Sequence, residues 1–97
     1  MTKPTIHLNG TGAESLLEGY RNAMEAVRDA MDKVDESAPN ARDYYPQGPA
    51  AYTIARQEHD DRYMKLDAVR HELTQLAMHC NDIISERNQR RAERSQP

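Results

Sequence analysis

The chain has no phenylalanine and no tryptophan, so its core must form without the two largest apolar side chains. Its only aromatics are five tyrosines, whose hydroxyls need partners when buried. A single cysteine, Cys80, excludes an internal disulfide framework and fits a reducing compartment. No apolar run is long enough to span a membrane, and the first residues do not read as a secretory signal. A soluble, cytoplasmic protein is therefore expected. Excess positive charge is missing too: the formal net charge is −3, which argues against general nucleic-acid binding. There is no Walker-type phosphate loop, no dinucleotide fingerprint, no CxxC and no HExxH. The four histidines, His7, His59, His71 and His79, include no pair four apart on one helix face. No metal site, no cofactor site and no catalytic constellation is read from the spacing, so an enzyme is not expected. Cys80 reads as a small packing residue.

What is present is charge and helical periodicity. The chain has 97 residues, 30% of them charged and 37% hydrophobic, with a mean hydropathy of −0.99. That is one domain at most, and a chain of this size buries only about two-thirds of its unfolded surface. A thin core on long helices predicts self-association, because the remaining apolar stripe needs another chain to cover it. Charge is uneven along the chain. Residues 85–97 carry four arginines against two glutamates, +2, which leaves −5 for residues 1–84.

Residues 1–10 read as an extended arm in which Ile6 and Leu8 alternate with polar neighbours, ended by Asn9-Gly10. Thr11 and Glu14 have the spacing of a capping box. A first helix is predicted over 12–37. Its apolar positions, Ala13, Leu17, Tyr20, Met24, Val27, Met31, Val34 and Ala38, step by 4 and 3 as a heptad seam does. Pro39 then disfavours helix in the residue before it. A Pro- and Tyr-rich turn is predicted over 38–48, and a second helix over 49–90 with Pro49 at its start. No proline or glycine interrupts that second helix, and residues 91–97 read as a frayed polar tail.

The seam expected for the second helix is Tyr52, Ala55, His59, Arg62, Leu66, Val69, Leu73, Leu76, Cys80 and Ile83. Two polar residues, His59 and Arg62, stand in its first half. Either the stripe slides onto Ile54, Tyr63 and Met64 there, or a polar pocket sits in the seam and needs a partner charge. Pairing back from the turn puts Ala13 near Leu73, so Leu76, Cys80, Ile83 and Ile84 would overhang, to be covered by the arm or by another subunit. The fold class expected is thus all-α: an antiparallel two-helix hairpin with a short N-terminal arm, self-associating into a helical oligomer.

The candidate binding residues cluster around the turn. Residues 39–49 hold three of the five prolines and two of the five tyrosines. Tyr44 and Tyr45 can stack on a base or cap the core. Arg42, Arg56 and Arg62 can grip phosphate through their planar donor fork. Gln47 and Gly48 lie where the amides opening the second helix form an anion site. Arg56, His59 and Tyr63 follow at i, i+3 and i+7 on one helix face. Together these fit an anionic, ring-bearing small ligand.

The turn Asn40-Ala41-Arg42-Asp43-Tyr44-Tyr45-Pro46-Gln47-Gly48-Pro49, with Ala55-Arg56 and His59 after it, resembles a family of small uncharacterised bacteriophage proteins. Ile54-Ala55-Arg56, His59, Met64, Leu66 and Ala68-Val69-Arg70, with Gly19-Tyr20-Arg21, resemble the phage helical-hairpin sponges of the anti-CBASS and anti-Thoeris kind. That second resemblance implies a homo-oligomer in the infected bacterial host that sequesters a nucleotide-derived immune signal, a cyclic oligonucleotide or an ADP-ribose derivative, without cleaving it. The alternative expectation is a structural or adaptor protein of phage assembly that binds another protein along its helical seam.

Overall fold

The structure is a computed structural model that describes residues 1–95. It is all-α. Two long helices, α1 (Ala13–Glu36) and α2 (Ala51–Arg94), flank two short 3-10 turns at Ala41–Asp43 and Tyr45–Gln47, and no strand occurs among the described residues. The first intrahelical bond runs from Leu16 N to Gly12 O at 3.1 Å. Gly12 therefore holds the cap position expected of Thr11, and the helix opens one residue later than the spacing predicts. α2 continues to Arg94, into the stretch read from sequence as a frayed tail; Gln96 and Pro97 lie outside the described residues.

The chain divides into two compact units, and both helices pass through both. The first unit holds Met1–Glu25 and the part of α2 from His71 on. Its core is Leu17, Ala77 and Cys80, with Leu16, Tyr20, Met24 and Ile84 packed around them. Thr74 Oγ1 meets Met24 Sδ at 4.0 Å. Contacts therefore run from Leu17 at Cys80 to Met24 at Thr74, the antiparallel order of a helical hairpin. Ala13 and Cys80 are fully buried and both are small, so helix backbones can approach closely at these positions. The arm lies on α2: the Pro4 carbonyl is 2.8 Å from His79 Nε2. Ile6 is half-buried, but Leu8 is 99% exposed and anchors nothing. After it the chain turns back through Gly10 N to His7 O at 3.1 Å.

The register of this unit differs from the expected one. A pairing of Ala13 with Leu73 would set Leu17 near Val69, whereas Leu17 packs against Ala77 and Cys80, two to three turns further along α2. Cys80 is consequently inside the pair instead of overhanging it. The inward line beside Leu66, Leu73 and Cys80 also differs. Sequence favours Val69, Leu76 and Ile83, the more apolar choice. In the structure Ala77 is buried, Ile84 joins the core and Val69 is 46% exposed. The inward line thus passes through Arg70, Ala77 and Ile84.

The second unit is Ala26–Arg70. Met31 and His59 are its buried residues, with Val27, Ala30, Val34, Ala55, Tyr63 and Leu66 half-buried around them. Neither account of the polar half of the seam holds as written. His59 stays inside at 5% exposure, Arg62 is outside, and Ile54 and Met64 are 54% and 59% exposed instead of taking over the stripe. The inward positions Ala55, His59 and Tyr63 step by 4 and 4, which turns the stripe away from the strict heptad line through Arg62.

Burial pushes the Cys80 thiol up. The folded state therefore disfavours thiolate, and stability falls as pH rises from about 8.5, the ordinary thiol range. In native buffer the single thiol reacts with Ellman's reagent far more slowly than in urea. Leu17→Ala, which empties the middle of the core, lowers stability by about 2–4 kcal/mol. Met64→Ala, on the exposed side of α2, changes it by less than about 0.5 kcal/mol. Thermal melts followed by circular dichroism at 222 nm distinguish the two.

Candidate functional site

The connector is held by its own backbone. Asn40 is extended, and its Oδ1 accepts from Arg42 N at 3.1 Å, which starts the first 3-10 turn. Asp43 N donates to Asn40 O at 3.0 Å and Tyr44 N to Ala41 O at 3.1 Å. Pro46 sits in the second turn, where Gln47 N donates to Tyr44 O at 2.9 Å and Gly48 N to Tyr45 O at 3.2 Å. These donors are used inside the turns, and the prolines remove two more, so the side chains are carried on a stiff frame. Gly48 then reverses the chain at φ 111° and ψ 169°, a region that residues with a Cβ avoid.

That frame lies beside the first turns of α2. Tyr44 and Gln47 from the connector, Pro39 and Ser37 before it, and Ile54, Glu58 and Arg62 from α2 line one open groove of about 310 Å³. The consecutive tyrosines separate. Tyr44 is half-buried on the groove wall, while Tyr45 is 76% exposed and outside it. Three of the nine candidate residues thus meet in the groove: Tyr44, Gln47 and Arg62. Gly48 contributes the reversal that brings the connector onto α2. Arg42 and Arg56 are exposed and line no part of it. Arg56 Nη1 instead donates to Tyr52 Oη at 3.4 Å; that bond, then the charge interactions with Tyr52 and Asp60, raises its pKa. His59 is buried as a packing residue and offers a ligand almost no surface.

Tyr63 lines a different depression of the same unit, about 280 Å³, with Arg28, Met31, Asp32, Asp67 and Arg70. There Arg70 Nη2 and Asp67 Oδ1 form an ion pair at 2.9 Å. Two arginines and two aspartates balance, so this cavity has no net attraction for an anion. Glu58 was not among the candidates, yet it sets the electrostatics of the groove. It stands four residues before Arg62, the spacing that places two side chains on one helix face, and this signal was legible in sequence. The groove therefore offers one guanidinium, one carboxylate, one aromatic ring and one amide. It is not a trap for highly charged anions. It suits a flat polar ring that carries one charged group nearby.

Comparison with known protein families, with curated proteins and with solved structures finds no match for this chain. The site is accordingly read from its own chemistry. Among the described residues no group of three or more His, Cys, Asp or Glu side chains is placed to hold a metal ion. No described helix is long and apolar enough to cross a membrane.

Nothing lies within 4 Å of a Cβ built on Gly48, so a substitution there meets a torsional cost alone. Gly48→Ala is expected to lower stability by about 1–3 kcal/mol, or to shift the connector off α2. A melt of the variant, with acrylamide quenching of tyrosine fluorescence taken as the difference between proteins with and without Tyr44, reads both effects.

Proposed function

We propose that the groove beside the connector binds one nucleotide unit, a base with a single phosphate, of a nucleotide-derived signalling molecule of the cyclic oligonucleotide or ADP-ribose kind, and holds it intact. The observation that supports this most is the convergence of Tyr44, Gln47, Glu58 and Arg62 on one groove. A base can stack on the Tyr44 ring, its edge can meet the Gln47 amide and the Glu58 carboxylate, and Arg62 can take one phosphate oxygen pair. The four groups serve recognition, and the Ser37 hydroxyl that also lines the groove donates to the Val34 carbonyl at 2.8 Å instead of to a base, which supports capture without cleavage. With the resemblance of the turn and of α2 to phage hairpin proteins, the role is an anti-defence sponge acting in the cytoplasm of an infected bacterium.

Self-association belongs to this reading. The accessible surface is 7634 Å² for 11.1 kDa. A typical folded monomer of that mass exposes about 5,700 Å², so roughly 2,000 Å² is in excess, more than the about 800 Å² that one partner buries in a standard interface. Val69, Leu76 and Ile83 stand seven apart on α2 and are only half-buried or exposed, which is the stripe a second copy would cover.

Native mass spectrometry with a panel of bacterial signalling nucleotides tests the proposal. An oligomer retaining one intact nucleotide mass per groove is expected, with Tyr44→Ala and Arg62→Ala each weakening retention about tenfold or more. Unchanged retention in both variants would remove the ligand from this groove. A nucleotide converted to a new mass would make the protein an enzyme. Retention of none of the panel would favour the adaptor reading, in which the exposed Ile54 and Val69 meet another protein.

A further inference from the structure

The last turns of α2 carry a feature that the groove does not use. Arg87, Arg90, Arg91 and Arg94 line a cavity of about 200 Å³, and no other described residue lines it. Their steps of 3, 1 and 3 make 87/90 and 91/94 i,i+3 pairs and 87/91 and 90/94 i,i+4 pairs, which puts them on one helix face. That face is the continuation of the packed one. Arg87 and Arg94 follow Leu66, Leu73 and Cys80 at sevens, Arg91 follows Ala77 and Ile84, and Arg90 follows Leu76 and Ile83. Where the upstream positions are apolar, all four of these are guanidinium. Glu86 and Glu93, the acids of this stretch, fall on other faces and line no part of the cavity.

Four like charges on neighbouring turns repel one another, since every i,i+3 and i,i+4 pair in the set is Arg with Arg. The negative end of the helix dipole offsets only about half a charge. None of the four forms an ion pair within the chain among the described residues. The set therefore has donor forks and charge in surplus, with open space between them. Arg90 and Arg94 are one turn apart, about 6 Å along the axis, and Arg87 to Arg94 is about 10 Å. No aromatic side chain lines the cavity, so recognition would rest on the anion and not on a base.

We infer that this arginine face is a second ligand site, for adjacent phosphate groups gripped by paired guanidinium forks. The chemistry is that of a linear oligophosphate, which a free polyphosphate or the backbone of a nucleic-acid strand can supply. The inference goes beyond the proposed groove and uses none of its residues.

Calorimetric titration of the full chain with inorganic tripolyphosphate, and separately with a twelve-residue oligothymidylate, tests it. Wild type is expected to bind tripolyphosphate, more weakly as salt rises. The double variant Arg90→Gln, Arg91→Gln is expected to weaken binding at least tenfold, while Lys33→Gln, an exposed cation elsewhere, leaves it unchanged. Replacement of the same two arginines by lysine keeps the charge and loses the fork, and an intermediate loss is expected. Tighter binding of the oligothymidylate identifies a strand as the source of the phosphates; equal or weaker binding identifies a free oligophosphate. A flat wild-type titration, or an equal loss in Lys33→Gln, would overturn the inference. Loss of tripolyphosphate binding in Tyr44→Ala would also overturn it, by moving the phosphate into the groove, and would leave the proposed function standing.

Discussion

The contact of Leu17 with Ala77 and Cys80 is the constraint on which the first unit depends. Without phenylalanine or tryptophan, the chain cannot fill a wide space between helices. It closes the space by putting small residues, Ala77 and Cys80, where the helices meet, and by seating Leu17 against them. A core this narrow fixes a single line of contact. Everything to either side remains half-exposed: Leu16 and Tyr20 on α1, Leu76 and Ile83 on α2. The half-exposed apolar side chains follow from that narrowness.

The second unit solves the same problem differently. Its inward line is polar on α2, with His59 buried and Tyr63 and Arg70 half-buried beside Met31. Its end is closed by the connector, whose two 3-10 turns consume their own backbone donors. A connector so stiff serves as a wall. Tyr44 and Gln47 form one side of the groove because Asn40 starts the turns and Gly48 ends them, and Glu58 and Arg62 form the other because α2 begins directly after. The resulting mixture of one ring, one amide and one charge of each sign is the chemical basis for proposing a nucleotide-sized ligand.

Much of this was legible in the residues. The two helices, the stop at Pro39 and the seam of α1 follow from 3-4 spacing and proline sterics. Two features were not. The register of the first unit is one, since Leu17 meets Ala77 and Cys80 and not the region of Val69; separately, the connector of the second unit lies along the start of α2 instead of forming a plain corner. The inward line of α2 was misplaced because Val69, Leu76 and Ile83 are more apolar than Arg70, Ala77 and Ile84. Close helix approach favours the small residue Ala77 over the larger Leu76, a preference that composition alone does not reveal. At the site, the sequence offers either Tyr44 or Tyr45 as the stacking ring, and only Tyr44 lies on the groove wall because successive residues of a tight turn point apart. Glu58 was passed over although its spacing from Arg62 marked it.

The pairing of α1 with α2 in the first unit decides which residues form its core, and a methyl nuclear Overhauser spectrum of the protein in solution tests it most directly. The account predicts a cross-peak between the Leu17 δ-methyls and the Ala77 β-methyl, and another between the Met24 ε-methyl and the Thr74 γ-methyl. A cross-peak between Leu17 and Val69 in their place would contradict it.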